Sequence, residues 1–248
     1  MKATLSARRL HKHFDGVVAA EDVSLEVAAG ERVGLIGSNG AGKTTFVNMI
    51  TGYLKPDSGS IELEGADITG LGPRQIMHRG VARSFQVPQL YPELSVMDNM
   101  LAAAACAAGS LSFWRPAHHP DRLAQALAIL ERFSLAAHRD RRVAELPGGV
   151  RKLLDIAMAL TRRPSLLLLD EPTSGVSVDE KFPVMDTVMA ALEGEQAAVL
   201  FVEHDMEIVQ RYASRVVAFY SGRILADGAP GSVLADANVR RHVTGAEA

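Results

Sequence analysis

Polar and apolar residues alternate along the first part of the chain. The alternation over Leu5 to Phe14 and over Val23 to Val27 predicts half-buried strands. Glu31 to Gly37 is a short apolar run that ends in glycine, which is typical of a strand buried on both faces. Three further elements are predicted in this part: strands at Ser60 to Leu63 and Val81 to Phe85, and a helix from Gly42 to Gly52.

The pattern changes between Ser95 and Arg132, where the chain is rich in alanine and has helical spacing. A loop from Gly109 to Pro120 interrupts this stretch, and we expect Asp121 to cap the helix that follows the loop. A third helix is predicted from Arg151 to Thr161. The pattern therefore predicts a helical insert of about 60 residues between two groups of strands.

Strands and helices alternate again from Leu166 onward. The predicted elements are strands at Leu166 to Leu169, Ala197 to Val202 and Arg215 to Tyr220, and helices at Glu180 to Leu192 and Met206 to Tyr212. Alternation of this kind builds a mainly parallel sheet with helices on its faces. We predict an α/β fold with an N-terminal antiparallel β portion. Its core comprises residues 1–86 and 151–248, and residues 87–150 form a helical subdomain insert.

Composition limits the classes of protein that fit this chain. Its 248 residues, 48% of them hydrophobic, suffice for one large domain or one domain with an inserted subdomain. Lys and Arg number 26 against 29 for Asp and Glu, a net charge of −3, so the basic excess usual in nucleic-acid binders is absent. We therefore expect no nucleic-acid partner, unless a local basic patch supplies one. Cys106 is the single cysteine, which excludes an intrachain disulfide.

No stretch of the sequence is as long and apolar as a membrane span. The longest apolar stretch, Met100 to Ala108, has about nine residues, whereas a helix that crosses a bilayer needs about 20. The residues from Met1 to Phe14 lack the apolar centre of a secretory signal. We therefore expect any association with a membrane to depend on a partner protein.

A glycine-rich sequence that fits the phosphate-loop pattern G-x-x-x-x-G-K-[ST] follows the strand from Glu31 to Gly37. Glycines let backbone N–H groups turn toward a phosphate, and the next helix adds about half a positive charge at its N-terminus. Lys43 supplies a full charge to the β- and γ-phosphates, and Thr44 offers a hydroxyl to Mg²⁺. The predicted nucleotide-binding residues are Gly37, Ser38, Asn39, Gly40, Ala41, Gly42, Lys43, Thr44 and Thr45. This motif alone does not distinguish an ATPase from a GTPase or a kinase.

Four leucines followed by two acids form a second chemical motif, at Leu166 to Glu171. A buried strand places Asp170 at its carboxyl end, beside the phosphate loop, where the carboxylate can help hold Mg²⁺. Glu171 lies past the end of the strand and can polarise a water molecule toward the γ-phosphate. The alternative is a strand that simply ends in solvated acids.

The order of the motifs resembles that in the nucleotide-binding subunits of ABC transporters. Three more motifs carry the resemblance: Phe85-Gln86 after a strand, LPGG at Leu146 to Gly149, and Val202-Glu203-His204-Asp205. It covers nearly the whole chain and implies a P-loop NTPase core of the RecA-like type that binds ATP and Mg²⁺ and hydrolyses ATP. The GVARSFQ run, the LPGG proline, the interrupted helical insert, DEPTSG and EHDM are similar to the corresponding parts of branched-chain amino acid importers.

The resemblance implies a role for each matching residue. Phe14 matches the aromatic residue that stacks on adenine, the alternative being an apolar strand residue. Gln86 matches the glutamine that senses Mg²⁺ and the attacking water, and Asp170 matches the Mg²⁺ ligand. Glu171 matches the catalytic carboxylate, and His204 matches the histidine that contacts the γ-phosphate. For Gln86 and His204 the alternative is an ordinary surface or core residue.

The resemblance also implies partners. Gly148 and Gly149 match the signature loop, which in these ATPases closes on the γ-phosphate bound by a second ATP-binding subunit, either a copy or a paralogue. The other implied partners are integral-membrane permease subunits and, indirectly, a periplasmic or extracellular solute-binding protein. The implied location is peripheral, on the cytoplasmic face of the inner membrane. We expect a permease helix to dock near Val87 to Asn99, the alternative being that these apolar residues pack within the helical subdomain.

The signature loop departs from the usual L-S-G-G-Q sequence. Pro147 removes a hydroxyl donor and Val150 removes a side-chain amide, whereas a proline is compatible with the start of a helix. We expect a weaker site, because a hydrogen bond to a charged group contributes about 1.5–3 kcal/mol. Ser177 also stands where an acid is common in the loop after Glu171.

Three other functions can be weighed against the sequence. A nucleotide-gated regulatory module would bind ATP with weak or no hydrolysis; Pro147 and Val150 favour it, and Glu171 and His204 argue against it. A soluble ABC ATPase of DNA repair or translation usually has two ATPase modules or long insertions, with basic surfaces, whereas this chain has one module and a net charge of −3. A GTPase needs a guanine-reading motif such as N-K-x-D, which this sequence lacks.

Overall fold

The computed structural model describes residues 3–107 and 119–245, so most of the predicted loop at Gly109 to Pro120 lies outside the described residues. The strands are β1 (Ala3–Phe14), β2 (Val17–Ala28), β3 (Arg32–Gly37), β4 (Ser58–Leu63), β5 (Ala66–Asp67), β6 (Val81–Ser84), β7 (Leu166–Asp170), β8 (Ala198–Val202), β9 (Arg215–Tyr220) and β10 (Arg223–Gly228). The helices are α1 (Lys43–Ile50), α2 (Pro73–His78), α3 (Val96–Ala107), α4 (Pro120–Arg132), α5 (Gly148–Ala159), α6 (Val178–Ala191), α7 (Met206–Tyr212), α8 (Pro230–Ala235) and α9 (Ala237–Val239). Short 3₁₀ turns lie at Ala136–His138, Val143–Glu145 and Leu160–Arg162, and a π-helical turn at Arg240–Thr244. None of the helices in this described part is both long and apolar enough to cross a membrane.

The N-terminal strands form a four-stranded antiparallel sheet in the order β2-β1-β4-β5. Strand β1 lies in its interior, so that Leu5 is opposite Val27 on one side and Leu63 on the other. All three side chains are buried in one cluster with Phe46 of α1. Alternation places every second residue on the face toward this cluster, which explains why the predicted antiparallel portion forms.

The larger sheet has the strand order β10-β9-β3-β8-β7-β6. It is parallel except for β10, which pairs antiparallel with β9. The four leucines of β7 and all of β8 are buried, as expected for strands that are covered on both faces. The predicted α/β fold is therefore confirmed. Because parallel strands end at the same edge, the segments that follow β3, β6, β7 and β8 meet there.

Helices, not strands, occupy the described residues between positions 87 and 147, where pairing is confined to one isolated bridge between Ser95 and Arg142. Met100 of α3 and Leu130 of α4 belong to the same buried cluster as Ile36 of β3, so this segment shares a core with the sheet. The division into a core and a helical subdomain stays a prediction. Its expected boundary after residue 150 falls inside helix α5.

Two local predictions were wrong. Asp121 does not cap the helix after the loop: α4 begins at Pro120, and Nδ1 of His119 accepts a hydrogen bond of 3.4 Å from the Asp121 N–H. Proline suits the first position of a helix, where the N–H has no partner within the helix. The helix therefore begins at Pro120, one residue before the predicted cap. The strand predicted at Val23 to Val27 begins at Val17, because it pairs along the full length of β1.

Five elements are absent from the sequence prediction, namely β5, α2, β10, α8 and α9, and two of them show why. Helix α2 has six residues, too few to show a helical period, and it begins at Pro73. Strand β10 lies at the edge of the sheet and is mostly half-buried, so its alternation is weak. It follows β9 through Ser221 and Gly222, whose φ angles of 49° and 77° suit a tight hairpin turn.

Candidate functional site

The glycine-rich loop connects β3 to α1 at the shared edge of the large sheet. Gly40 and Gly42 have φ angles of 79° and 105°, in the left-handed region that favours glycine. At Gly42 a Cβ atom would lie 2.6 Å from the carbonyl oxygen of Ala19, so only glycine fits there. The turn is closed by a hydrogen bond of 3.1 Å from the Ala41 N–H to the Ser38 carbonyl. A concave loop that leads straight into a helix N-terminus is suited to bind an anion.

Lys43 is buried beneath this loop. Its Nζ donates hydrogen bonds to the carbonyls of Gly37, at 2.6 Å, and Ser38, at 3.1 Å. Burial lowers the pKa of the Lys43 ammonium, and the negative charges of Glu171 and Asp170 oppose this shift. The positive charge is therefore placed between the loop and two acids that follow β7.

The loop shares one cavity of about 190 Å³ with residues from three other strand ends. Gln86 follows β6, Asp170 ends β7 and Glu171 comes directly after it, and His204 follows β8. The remaining lining residues are Asn39, Gly40, Ala41, Gly42, Lys43, Thr44, Thr45 and Val202. Most residues predicted from the sequence for nucleotide and metal binding therefore lie together.

Glu171 occupies the centre of this group. Its Oε2 accepts a hydrogen bond of 2.6 Å from Nε2 of Gln86, and its Oε1 lies 3.1 Å from Nε2 of His204. Because a carboxylate can only accept, the second contact requires a proton on that ring nitrogen. The Glu171 backbone has a φ of 46°, which turns the chain sharply at the end of β7. Two neighbouring side chains thus orient the carboxylate in the cavity.

Asp170 pairs with an arginine to which the sequence analysis assigned no role. Nη2 of Arg83 lies 2.5 Å from Oδ2 of Asp170, and Nη1 donates a hydrogen bond of 2.8 Å to Oδ1 of Asn48 on α1. The guanidinium also lies 4.9 Å from the ring centre of Phe85. The feature of the sequence that could have identified Arg83 is its charge inside the otherwise buried strand β6. Arg83 therefore orients one oxygen of the Asp170 carboxylate from behind the cavity.

Glu203 is a second residue that the sequence analysis left without a role. It is buried and accepts hydrogen bonds from the N–H and hydroxyl of Thr173, at 3.0 and 2.7 Å. Thr173 belongs to the loop directly after Glu171, and Glu203 precedes His204. The contact fixes the loop after β7 to the end of β8.

Phe14 does not line the cavity, and neither do Gly148 and Gly149. Phe14 is about half-exposed at the end of β1, with Nζ of Lys12 5.5 Å from its ring centre. Gly148 and Gly149 open helix α5, and Gly148 lines a separate cavity with Gln86 and Gly175. The structure of one chain therefore leaves these three residues outside the cavity, whereas all other predicted site residues except Gly37 and Ser38, at the start of the phosphate loop, line it.

Pro147 is the residue before the first helical position of α5, with a φ of −55° and no side-chain hydrogen bond to the helix. The helix begins at Gly148 despite the departure from L-S-G-G-Q, as expected for a proline at a helix start. A Cβ on Gly148 would lie 2.9 Å from the carbonyl of Gly175, so the loop after β7 approaches this helix end closely.

Comparisons with known proteins agree with this geometry. The profile of the family described as "ABC transporter" matches residues 20–174. The chain is 34% identical over 250 residues to the "High-affinity branched-chain amino acid transport ATP-binding protein LivG" of Escherichia coli K12, a match that covers 97% of each chain. It is also 34% identical over 249 residues to the "Phosphonates import ATP-binding protein PhnC" of Chromohalobacter salexigens, covering 98% of this chain and 90% of the relative.

A solved structure has the same fold. The ADP conformation of MJ1267, an ATP-binding cassette of an ABC transporter, is similar with a TM-score of 0.86 and 32% sequence identity. The match covers 97% of this chain and 98% of that one. The similarity therefore extends over both sheets and the helices between them.

Proposed function

The chain belongs to the ABC transporter family and is an ATP-hydrolysing, ATP-binding subunit of a transporter, and we propose that this transporter imports branched-chain amino acids or similar small polar solutes. The E. coli relative named for branched-chain amino acid transport supports this choice. The relative named for phosphonate import has the same identity, so the solute class depends on experiment. Uptake of labelled leucine and of a labelled phosphonate, in cells with and without the gene, tests it: loss of leucine uptake supports the proposal, and loss of phosphonate uptake alone contradicts it.

Nucleotide binding is assigned to the phosphate loop, Gly37 to Thr45. Its backbone N–H groups and the N-terminus of α1 bind the phosphates, and Lys43 neutralises charge on the β- and γ-phosphates. For this, the Lys43 ammonium exchanges its two carbonyl acceptors in the loop for phosphate oxygens. Phe14 supplies the aromatic face for adenine; its exposed ring in the β1–β2 hairpin supports this assignment, because Ala19 of the same hairpin contacts the loop at Gly42.

Thr44, Gln86 and Asp170 fit a Mg²⁺ ion. They bring a hydroxyl, an amide and a carboxylate to one cavity, and Mg²⁺ prefers such oxygen ligands. When bound, the ion neutralises charge on the phosphates that react. The pairing of Oδ2 of Asp170 with Arg83 leaves Oδ1 as the oxygen that faces the ion in this assignment.

Glu171 is the base in the proposed hydrolysis, and its contacts with Gln86 and His204 are the observation that supports this most directly. A carboxylate oriented by two hydrogen-bond donors accepts a proton from the attacking water. His204, after the end of β8, contacts the γ-phosphate in this proposal. Gln86, after the end of β6, contacts the attacking water and the Mg²⁺ ion. The three groups come from adjacent strands, so they act on one reacting phosphate.

A second ATP-binding subunit completes the site in this proposal. Gly148 and Gly149 do not line the cavity of their own phosphate loop, which fits a role opposite the loop of another subunit. A Cβ at Gly148 would lie 2.9 Å from the carbonyl of Gly175, so this position requires a glycine at the start of the helix. The partner is a copy of this chain or a paralogue.

Permease subunits dock, in this proposal, near the segment from Val87 to Asn99. Val87, Tyr91 and Leu94 are exposed there, whereas Leu90 packs against the main buried cluster. Exposed apolar side chains in a connecting segment favour a protein partner. A permease at this segment places the chain on the cytoplasmic face of the inner membrane, and a solute-binding protein contacts the permease from the other side. A cysteine introduced at Tyr91 and a second one introduced in a permease loop should form a disulfide when a mild oxidant is added; absence of a crosslink under every nucleotide condition would contradict the docking.

A regulatory module with weak hydrolysis is the second candidate, because Pro147 and Val150 remove two polar groups from the signature loop. A steady-state ATPase assay on the purified chain, with Lys43→Ala as the control, separates the two. Hydrolysis well above the control supports the enzyme. ATP binding with turnover only slightly faster than that of the control supports the regulatory module.

A further inference from the structure

Helix α5 carries two buried charged residues that the proposed hydrolysis does not use. Lys152 and Asp155 are only 1% and 7% exposed. They are three residues apart, so they lie on the same face of the helix. This face is directed at residues 84–89, the segment that leaves β6 and contains Gln86.

Lys152 binds the backbone on both sides of the hydrolytic centre. Its Nζ donates to the carbonyl oxygens of Phe85, at 2.9 Å, and Gln86, at 3.3 Å. It also lies 3.4 Å from the carbonyl oxygen of Asp170. One ammonium group therefore joins the backbone that presents Gln86 to the backbone that presents Asp170 and, one residue later, Glu171.

Asp155 binds the two ends of the same segment. Its Oδ2 accepts a hydrogen bond of 2.5 Å from the hydroxyl of Ser84, and its Oδ1 accepts one of 3.0 Å from the N–H of Gln89. Gln86 lies between these two residues. The segment is thus bound at its start, its middle and its end by a single helix.

Burial of both charges is unfavourable for the ionised forms. It lowers the pKa of Lys152 and raises the pKa of Asp155, and in each case the charge of the other residue opposes the shift. Burying a charged group costs free energy, and the hydrogen bonds that it makes offset this cost. The contribution of the two residues is therefore better sought in the geometry that they impose on the segment with Gln86.

We propose that Lys152 is a positioning residue for ATP hydrolysis, which fixes the Gln86 backbone against that of Asp170 and joins both to the helix that begins at Gly148 and Gly149. The proposal rests on the proposed roles of Gln86 and Glu171. Lys152 lies one helical turn after Gly148 on the same helix. A partner phosphate loop that contacts the signature loop therefore also changes the position of Gln86, through helix α5 and Lys152. Lys152 does not line the cavity at the phosphate loop, so it acts through Gln86.

Steady-state kinetics of Lys152→Met test the proposal, with Lys55→Met as a matched control at an exposed lysine. We expect kcat to fall by about 10- to 100-fold, because a displacement of about 1 Å at a reacting group costs up to about 100-fold. The KM for ATP should stay within about twofold of the parent, since Lys43 and the phosphate loop are unchanged. Lys152→Arg keeps a charged donor and should recover part of the lost kcat, whereas Lys55→Met should match the parent.

A double-mutant cycle with Gln86→Ala distinguishes positioning from a general structural effect. If Lys152 acts through Gln86, Lys152→Met should lower kcat further by less than about twofold in the Gln86→Ala background. Independent, multiplicative losses would overturn the proposal. If Lys152→Met fails to fold, as judged by thermal unfolding and binding of a fluorescent ATP analogue, the same cycle is run with Lys152→Arg. Parent-like hydrolysis by Gln86→Ala alone would overturn both this proposal and the proposed role of Gln86, while slow hydrolysis with multiplicative losses would overturn this proposal only.

Discussion

The side-chain amide of Gln86 donates a hydrogen bond of 2.6 Å to Oε2 of Glu171, although 85 positions separate the two residues in sequence. They meet because β6 and β7 are parallel neighbours in which Ser84 lies opposite Leu169, so the residues two places further on are also adjacent. On the other side of β7, β8 brings His204 to the same carboxylate. Three consecutive strands of the sheet thus place their carboxyl-end residues around one acid.

Replacing Glu171 with glutamine should abolish most hydrolysis and preserve binding. The amide keeps the shape of the side chain and loses the charge that accepts a proton, so the rate should fall by about 10²- to 10⁴-fold. Repulsion between the carboxylate and the γ-phosphate also disappears, so the ATP-bound dimer should persist longer. Size-exclusion chromatography of Glu171→Gln with ATP, with ADP and without nucleotide measures this second effect.

Hydrolysis by Glu171→Gln at the parent rate would show that Glu171 is not the base. A variant that hydrolyses slowly and stays monomeric with ATP would point to another partner. In that case the LPGGV signature does not support a homodimer, and a paralogous second subunit becomes the better interpretation.

Replacing Phe14 with alanine should weaken ATP binding without unfolding the protein. The ring is 46% exposed, so little core packing is lost. Stacking of an aromatic ring on a base contributes about 1–3 kcal/mol, which corresponds to an increase of about 5- to 100-fold in the Kd for ATP. The Kd for tripolyphosphate, which has no base, should not change.

Val17→Ala serves as the control for Phe14→Ala, because Val17 is 65% exposed and lies directly opposite Phe14 in the same hairpin without an aromatic ring. Equilibrium titration of both variants with ATP and with tripolyphosphate measures the effect. Equal losses for the two ligands would mean that Phe14 shapes the phosphate loop and does not contact adenine.

Replacing Gly42 with alanine should disrupt the phosphate loop more than the same change at Gly40. Both glycines have positive φ, which costs alanine about 1–2 kcal/mol. Only at Gly42 would the new Cβ also lie 2.6 Å from the carbonyl of Ala19, whereas no atom lies within 4 Å of a Cβ at Gly40. Gly42→Ala should therefore lose ATP binding, and urea unfolding should show the larger loss of stability. Identical unfolding and binding curves for the two variants would contradict this account.

Replacing Pro147 with serine should improve the signature loop in two ways. A serine at this position before α5 can cap the helix, which stabilises the protein by about 1 kcal/mol. Its hydroxyl also restores a hydrogen-bond donor toward the γ-phosphate of the partner site. The free energy of such a bond corresponds to a decrease of about 10- to 100-fold in the KM for ATP. Thermal unfolding and steady-state kinetics measure the two effects.

Pro147→Ala is the matched control for Pro147→Ser, since it removes the ring without adding a hydroxyl. It should lower the stability of α5 and leave the KM for ATP near that of the parent. An equal KM for the serine and alanine variants would show that a hydroxyl at this position does not reach the nucleotide.

The sequence alone determined the parts of this protein that depend on consecutive residues. The run from Gly37 to Thr44 specifies a phosphate loop because local backbone geometry requires its glycines and the charge of the phosphates requires Lys43 and Thr44. Four leucines before Asp170 specify a buried strand that ends in acids. Strand and helix periodicity likewise predicted most elements of the fold, and failed where an element was as short as α2 or as exposed as β10.

Only the tertiary structure decided which distant residues meet. The contact of Glu171 with both Gln86 and His204 depends on the order β6-β7-β8, and local patterns do not encode strand order. The pairing of Arg83 with Asp170 and the binding of Lys152 to the Gln86 segment arise from the same packing. The sequence shows that Arg83 and Lys152 are cationic, but it does not show which groups accept their hydrogen bonds. These acceptors are backbone carbonyls and carboxylates from other elements, and only the folded chain brings them within hydrogen-bonding distance.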